Sequence, residues 1–307
     1  MSAPGTGRAR TGAPAAPRAA PARARGPRYP DRTLWVNGEL ARGERAALSL
    51  FDRGARTGEG LLETFRVYGG QPFLWDRHME RLVLSAAVLG FPVPPAPARL
   101  RHGLAQLLAA EGLLDAVARL VVTRGVPGGR PTRAGAWIEA EPVGGHLWPG
   151  TRRGAADAIV SRTPFHPGPL GAHKTTSRLA YSLALEEARA ARADEALLAA
   201  PDGTLLEGAT SNLFVVRRGE VLTPPLARGI LPGIARAVVL ELCAALGLPA
   251  READLSRADL AAADEAFVTN SVQEVVPLAT VDGAPLPGRV VGQRLLAAYR
   301  ERVARGG

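Results

Sequence analysis

Between Leu34 and Trp75 the apolar positions are spaced for extended chain. LWVNGEL carries a turn-forming Asn-Gly, and LLETFRVYGGQPFLW divides into two strands across Tyr68, Gly69 and Gly70. Asp76 is placed to cap a helix running to about Leu89, with Gly90 as its stop. A second helix over about 98–113 precedes the strand-like run VARLVVTRG and another strand in AGAWIEAE. The stretch PVGGHLWPGTRRGA, Pro142 to Ala155, is dense in turn formers and marks the expected domain boundary. Beyond it the pattern predicts a strand near AIVSR, a loop carrying Lys174 and a helix from about Ser177 to Ala191. Strands follow at ALLAA, TLLEG and SNLFVV, the first two joined by a turn at Pro201-Asp202-Gly203. A helix after Leu231, a capped helix near Ser256, a strand AFVTN and a helix from about Arg289 complete the chain. Strands and helices mix without strict alternation and no repeat of roughly 20–50 residues is visible, so the expected class is α+β. The division it suggests is a tail over 1–28, a small α+β domain over 29–145 and a large α+β domain over 146–307.

Composition changes this picture in one place. Of 38 basic residues in the 307, 37 are arginine, and the single lysine is Lys174. Arginine replaces lysine wherever a fixed charge suffices, but it stays protonated and serves neither as an amine nucleophile nor as a base. A lysine that survives in such a chain is either a chance surface residue or an amine in use. The formal charge of +9 is concentrated at the start, where residues 1–28 hold six arginines and no acid; removing those six leaves +3. That segment is almost wholly Ala, Pro, Gly and Arg, without the apolar surface to offset ordering entropy, and is expected to be disordered. It lacks the apolar core of about 7–15 residues found in secretory signals. A nucleic-acid-associated protein with a degenerate enzyme domain is the competing class, yet tail charge without aromatic or motif context binds only weakly and nonspecifically. No apolar run reaches the roughly 18 residues of a membrane span, because Leu82–Val93 runs into Pro94 and Pro95. One cysteine, Cys243, excludes an internal disulfide, and five scattered histidines show no metal-binding spacing. A cytoplasmic protein without membrane, metal or specific nucleic-acid partner is expected.

The chemistry centres on Lys174. It lies in a loop just before a helix, whereas a solvating lysine would decorate a helix face, and an amine nucleophile needs a partly desolvated seat. Thirty-three residues later comes Glu207, in LLEGATSNLFVV, flanked by apolar residues. Alone it reads as a strand-end carboxylate in water; with the lysine it suits pyridoxal phosphate, whose aldehyde takes an amine and whose ring nitrogen takes a carboxylate. A phosphate adds a third demand. ARGILPGIARAVV supplies a Pro-Gly entry to a helix at Gly233, Ile234 and Ala235, where backbone N–H groups and the helix dipole favour an anion. Arg81, in RHMERL, is either a charge-assisted partner of that phosphate or a surface helix charge.

These motifs resemble the class IV aminotransferase-like, or fold type IV, pyridoxal phosphate enzymes. The resemblance begins at VNGEL and continues through SLFDRGARTGEGLLETFRVYGGQPFLWDRHMERL and HKTTSRLAYSLALEEARAARADEALL. It then takes in LLEGATSNLFVV, GILPGIAR and DEAFVTNSVQEVVPL, so that it covers roughly residues 34–300. It implies a two-domain fold like that of D-amino acid aminotransferase, assembled as a homodimer with the site between domains. It further implies that Lys174 joins the cofactor aldehyde, Glu207 pairs with the pyridine nitrogen and Arg81 binds phosphate. The backbone of Ile234 and Ala235 and the hydroxyl of Ser271 complete the phosphate cup. Two departures stand out: Thr57-Gly58-Glu59-Gly60 replaces an aromatic followed by Gly-Asp-Gly, and Ala235 replaces a hydroxyl-bearing residue.

Within the family, branched-chain aminotransferases typically read Phe-Glu-Gly where this chain has Glu63 and Thr64, and they carry tyrosine where it has Leu179. The ETFRVYGGQPFLWDRHMERL stretch, Ser177-Arg178-Leu179 after the lysine, and TNSVQEVVPL look more like aminodeoxychorismate lyases. The first expectation is therefore a lyase releasing 4-aminobenzoate and pyruvate for folate biosynthesis. In that reading Lys174 removes the α proton and returns a proton to the leaving oxygen, with Thr64 nearby. The alternative is an aminotransferase acting on branched-chain L-amino acids or on D-amino acids. Arg124, in VVTRG, is a candidate for a substrate carboxylate or a structural arginine capping a turn, and Asn270 is a second candidate for substrate contact.

Overall fold

The computed structural model describes Met1, residues 31–128 and residues 134–306; the expected tail over 1–28 otherwise lies outside the described residues. The chain first builds a six-stranded sheet. β1 (Thr33–Val36) and β2 (Glu39–Arg42) pair around Asn37 and Gly38, both at positive φ as an Asn-Gly hairpin demands. The short helix α1 (Arg53–Thr57), capped by Asp52, leads into β3 (Gly60–Tyr68), which turns at Gly69-Gly70 into β4 (Gln71–Pro72). Helices α2 (Trp75–Val88) and α3 (Pro97–Glu111) follow, then β5 (Ala116–Thr123) and β6 (Ala136–Pro142). The strand order is β2-β1-β6-β5-β3-β4, antiparallel throughout.

Period-two alternation in β3 decides what each face does. Leu61, Phe65 and Val67 are buried against Trp75, Met79 and Leu82 of α2 and Leu100, Leu104 and Leu107 of α3. Leu62, Thr64, Arg66 and Tyr68 lie half-buried on the opposite face. Asp76 is not the cap of α2. The chain leaves β4 through Leu74 at φ 53°, so the helix starts two residues early and Asp76 sits in its first turn, where its charge still favours the dipole.

The second sheet has nine strands. In chain order the elements are α4 (Pro149–Arg153), β7 (Ala156–Val160), α5 (Leu179–Ala190), β8 (Glu195–Ala199), β9 (Leu205–Gly208), β10 (Asn212–Arg217), β11 (Glu220–Thr223) and α6 (Ile234–Ala245). They continue with β12 (Ala250–Glu252), α7 (Arg257–Ala261), β13 (Glu265–Asn270), β14 (Glu274–Val281), β15 (Ala284–Pro285) and α8 (Val290–Ala304). The order is β12-β11-β10-β13-β14-β7-β8-β9, with β15 beside β14. Parallel pairing occurs at β11–β12, β14–β7 and β7–β8. Helices α6 and α8 cover one part of it over stacked Phe214 and Phe267, while α5 packs Ala184 and Ala188 near β8. Ser256 and Asp259 close a reciprocal capping box on α7, as the expected cap there requires. The segment from Pro142 to Ala156 carries the chain from one sheet to the other.

Candidate active site

A cavity of about 300 Å³ opens between the two sheets. The first sheet contributes Leu62 and Thr64 of β3 and Val117 and Arg119 of β5, and Thr64 and Arg119 are cross-strand partners. The Lys174 loop is zipped onto the start of β3. Leu62 N–H donates to the Lys174 carbonyl (2.7 Å), Thr176 N–H to the Gly60 carbonyl (2.9 Å) and Thr176 Oγ1 to the Gly58 carbonyl (2.8 Å). This fixes the backbone of Lys174 while its side chain lines the cavity. Burial, reinforced by the Arg178 and Arg81 guanidinium groups and only partly opposed by Glu63 and Glu207, pulls its ammonium down to about 7.

Glu207, at the end of β9, lines the same cavity. Its Oε2 accepts from Leu231 N–H (3.2 Å) and Asn212 Nδ2 (3.4 Å), whereas its Oε1 is buried with no partner. Burial pushes this carboxyl up to about 8 against the opposing effects of the Leu231 N–H, Arg178 and Lys174. An unpaired buried carboxyl oxygen is costly, and its persistence suits a proton-bearing nitrogen brought by a ligand. Beneath it, buried Glu195 accepts from Thr210 N–H and Oγ1 and from Ser211 Oγ, fixing the loop after Gly208.

The entry to α6 forms another wall. No side chain caps its first turn, and Gly233, Ile234 and Ala235 line the cavity. A Cβ at Gly233 would strike Asn212 Oδ1, so the glycine is required for the helix to start beside Glu207. Arg81 reaches the cavity from α2 with its guanidinium already oriented. Nε and Nη2 donate to Glu63 (2.9 and 2.6 Å) and Nη1 to the Pro232 carbonyl (3.0 Å). Glu63 also bonds His78 Nδ1 (2.7 Å); burial alone would raise its carboxyl, but Arg81 and His78 bring it down to about 2.

Ser271 and Asn270 stand in the β13–β14 turn on the cavity wall. Asn270 Oδ1 accepts from Val272 N–H (2.9 Å) and Gln273 N–H (2.7 Å), and Nδ2 donates to the Thr210 carbonyl (3.1 Å), so this side chain braces the turn. The structure thus brings Lys174, Thr64, Glu207, Arg81, Ile234, Ala235, Ser271 and Asn270 to one cavity. Arg124 is elsewhere. β5 ends at Thr123, and Arg124 turns away to donate to the Gly90 and Leu89 carbonyls (2.7 and 2.9 Å), pair with Glu59 (2.6 Å) and cover the Phe91 ring. It caps the C-terminal end of α2, the second of its two expected roles. Thr57 and Glu59 likewise are not among the residues lining this cavity.

Three side chains given no site role from sequence, among them Arg178 of the Ser177-Arg178-Leu179 motif, also share the cavity. Arg119 pairs with Glu139 (3.2 Å) and lies two pleats inside β5, where alternation with Val117 marks it as cavity-facing. Arg178 donates to the Ala209 carbonyl (2.7 Å) and lies 3.5 Å above the Tyr181 ring, so both are cavity residues.

The family profile of amino-transferase class IV matches residues 60–281. A putative branched-chain-amino-acid aminotransferase of Methanocaldococcus jannaschii is 34% identical over 271 residues, 85% of this chain and 91% of that protein. A D-alanine aminotransferase of Bacillus licheniformis is 32% identical over 250 residues, 80% and 87% respectively. Among solved structures, a branched-chain aminotransferase from Thermoproteus uzoniensis with norvaline superposes with a TM-score of 0.78 at 32% identity, covering 89% of this chain and 94% of that one. The chain therefore belongs to the class IV amino-transferase family of pyridoxal 5'-phosphate enzymes, with that family's mixed α+β fold. Among the described residues no helix is long and apolar enough to cross a membrane.

Proposed function

We propose that this chain is an aminotransferase acting on a small amino acid with an apolar side chain, in preference to the lyase reading drawn from its motifs. The relatives support this order: those named above are called aminotransferases, for branched-chain amino acids or D-alanine. The carrying observation is the shape of the chemistry in the cavity. Leu62, Val117 and Trp148 supply apolar surface to the same cavity as Arg119, Lys174 and Glu207. Pyridoxal phosphate, when bound, supplies an aldehyde that takes up amines and a ring that withdraws electrons from them. The chain's own groups do the rest. Lys174 Nζ binds the cofactor, then takes the proton from the substrate Cα and returns it. Glu207 Oε1 would accept from the protonated ring nitrogen and keep it protonated, and the Ile234 and Ala235 N–H groups, Ser271 and Arg81 would hold the phosphate. Arg119 orients the substrate carboxylate, the part first expected of Arg124, and Thr64 beside it contacts substrate.

Mixing the cofactor-loaded protein with L-leucine, L-valine or D-alanine alone is expected to convert it to its pyridoxamine form with one keto acid released per site. Release of 4-aminobenzoate and pyruvate from aminodeoxychorismate, without conversion by any amino acid, would instead restore the lyase.

The proposal includes the two domains, meeting between 142 and 156, a cytoplasmic setting as expected from the single cysteine, and a homodimer. Leu84 and Val88 on α2 and Leu179 and Leu183 on α5 are exposed at four-residue spacing, and the His173–Ser85 contact (3.0 Å) sets α2 beside the Lys174 loop. Light scattering should give twice the 32.1 kDa chain mass, falling to the single-chain mass in Leu84→Glu/Leu183→Glu. A wild-type protein of single-chain mass would exclude the dimer.

A further inference from the structure

The turn that carries Ser271 is anchored more heavily than its length requires. Asn270 and Glu274 close the β13–β14 register, leaving Ser271, Val272 and Gln273 at the tip. Gln273, buried, accepts from Trp148 N–H (3.2 Å) and Thr151 Oγ1 (2.6 Å) and donates to the His146 carbonyl (2.7 Å), all in the segment joining the sheets. Glu274 is 3% exposed and holds φ 66°, a left-handed conformation that a side-chain-bearing residue adopts only at a cost. Its carboxylate draws donors from two places. Oε1 accepts from Arg66 Nη1 (2.9 Å) and Tyr68 Oη (2.8 Å), both on β3, and Oε2 accepts from Arg300 Nε (2.7 Å) on α8. Arg66 lies 4.5 Å over the Tyr68 ring, and its Nη1 also approaches the Val272 carbonyl (3.5 Å).

Burying a carboxylate at a strained backbone position destabilises the chain unless the charge is paired, and here Arg300 on α8 pairs Oε2 while the donors to Oε1, Arg66 and Tyr68, come from the opposite sheet. A residue retained under those conditions, one step from the tip, controls where the tip sits. We propose that Glu274 is a positioning residue: with Arg66 and Tyr68 it latches the Ser271–Val272 turn to β3, so that phosphate affinity at the cavity depends on contact between the two sheets. This rests on the reading that the turn belongs to the phosphate cup.

The test uses the full chain stripped of cofactor and titrated in parallel with pyridoxal phosphate and with pyridoxal, which lacks the phosphate. Glu274→Gln and Arg66→Gln are each expected to weaken pyridoxal phosphate by about tenfold to a hundredfold, the effect of losing hydrogen bonds to a charged group, while pyridoxal binding changes by less than about twofold. The double variant should lose little more than Glu274→Gln alone, because that variant already removes the charge that Arg66 pairs with, along with the charge facing Tyr68 and Arg300. Equal losses for both ligands, or a lowered melting temperature with phosphate selectivity intact, would overturn the latch. If Glu274→Gln does not fold, Tyr68→Phe removes one donor from the same oxygen and must shift selectivity the same way. Wild-type protein that binds both ligands equally well would remove the phosphate cup itself, an outcome visible before any variant is compared.

Discussion

Lys174→Ala is expected to abolish covalent attachment of the cofactor and to lower amino-group transfer by at least about 10²–10⁴-fold, the span associated with losing a positioned acid–base group. The chain has no second lysine, so borohydride treatment followed by intact-mass measurement gives an unambiguous result. Wild type should gain the mass of one cofactor less one oxygen per chain, because water leaves as the imine forms and borohydride adds two hydrogens, and Lys174→Ala should gain none. Lys174→Arg should fail equally, since it keeps a cation in the cavity and loses the nucleophile. The pH dependence follows from the depressed ammonium. Burial, with Arg178 and Arg81, brings it to about 7, so the neutral amine accumulates above that pH. Cofactor uptake by the stripped protein should therefore rise with pH to about 7 and then level off. Between about 7 and the ordinary 10.5 the unfolded chain binds the extra proton, so wild-type stability without cofactor should gain with pH relative to Lys174→Ala. Uptake that keeps rising to pH 10 would show that the amine is not held this way.

Much of this site was legible because its residues are rare or locally framed. Lys174 stood out as the single lysine before a helix, and Gly233 as a Pro-Gly entry to α6. What failed was anything decided across the chain. Arg124 read equally as a substrate contact or as an arginine capping a turn, and only the packing decides: β5 stops at Thr123 and the carbonyls at the end of α2 claim its guanidinium. Arg119 lies in the same run, and strict alternation along β5 would have selected it. β14 was not read as a strand, because Glu274 at φ 66° and Pro277 interrupt the local pattern while pairing with β13 and β7 maintains it. Glu63 served only as a family marker in ETFR; its burial between His78 and Arg81 depends on how α2 packs on β3. The same stretch suggested a lyase, and the named relatives favour an aminotransferase.

Glu207→Gln should slow amino-group transfer by about 10²–10³-fold, the effect of removing one preorganised electrostatic stabiliser, while leaving Lys174 able to bind the cofactor. The direction follows from who donates to whom. Leu231 N–H and Asn212 Nδ2 both donate to Oε2, so a glutamine must place its carbonyl oxygen there and its amide nitrogen where Oε1 now stands. A hydrogen-bond donor then faces the ring nitrogen in place of a group that holds a proton for it, and the ring loses its means of staying protonated. Glu207→Leu would add a different fault, an unpaired Leu231 N–H, so the glutamine variant is the cleaner comparison. Stability without cofactor supplies an independent check. Burial raises this carboxyl from 4.5 to about 8, so its contribution is fully present below 4.5 and is lost as pH rises through 8. Across that window stripped wild type should lose stability relative to Glu207→Gln by up to about 1.4 kcal/mol per pH unit, the limit for one proton. Parallel pH curves for the two proteins would mean that Glu207 is already ionised at neutral pH; the variant's slow transfer would then reflect lost charge at Oε1 and not a lost proton.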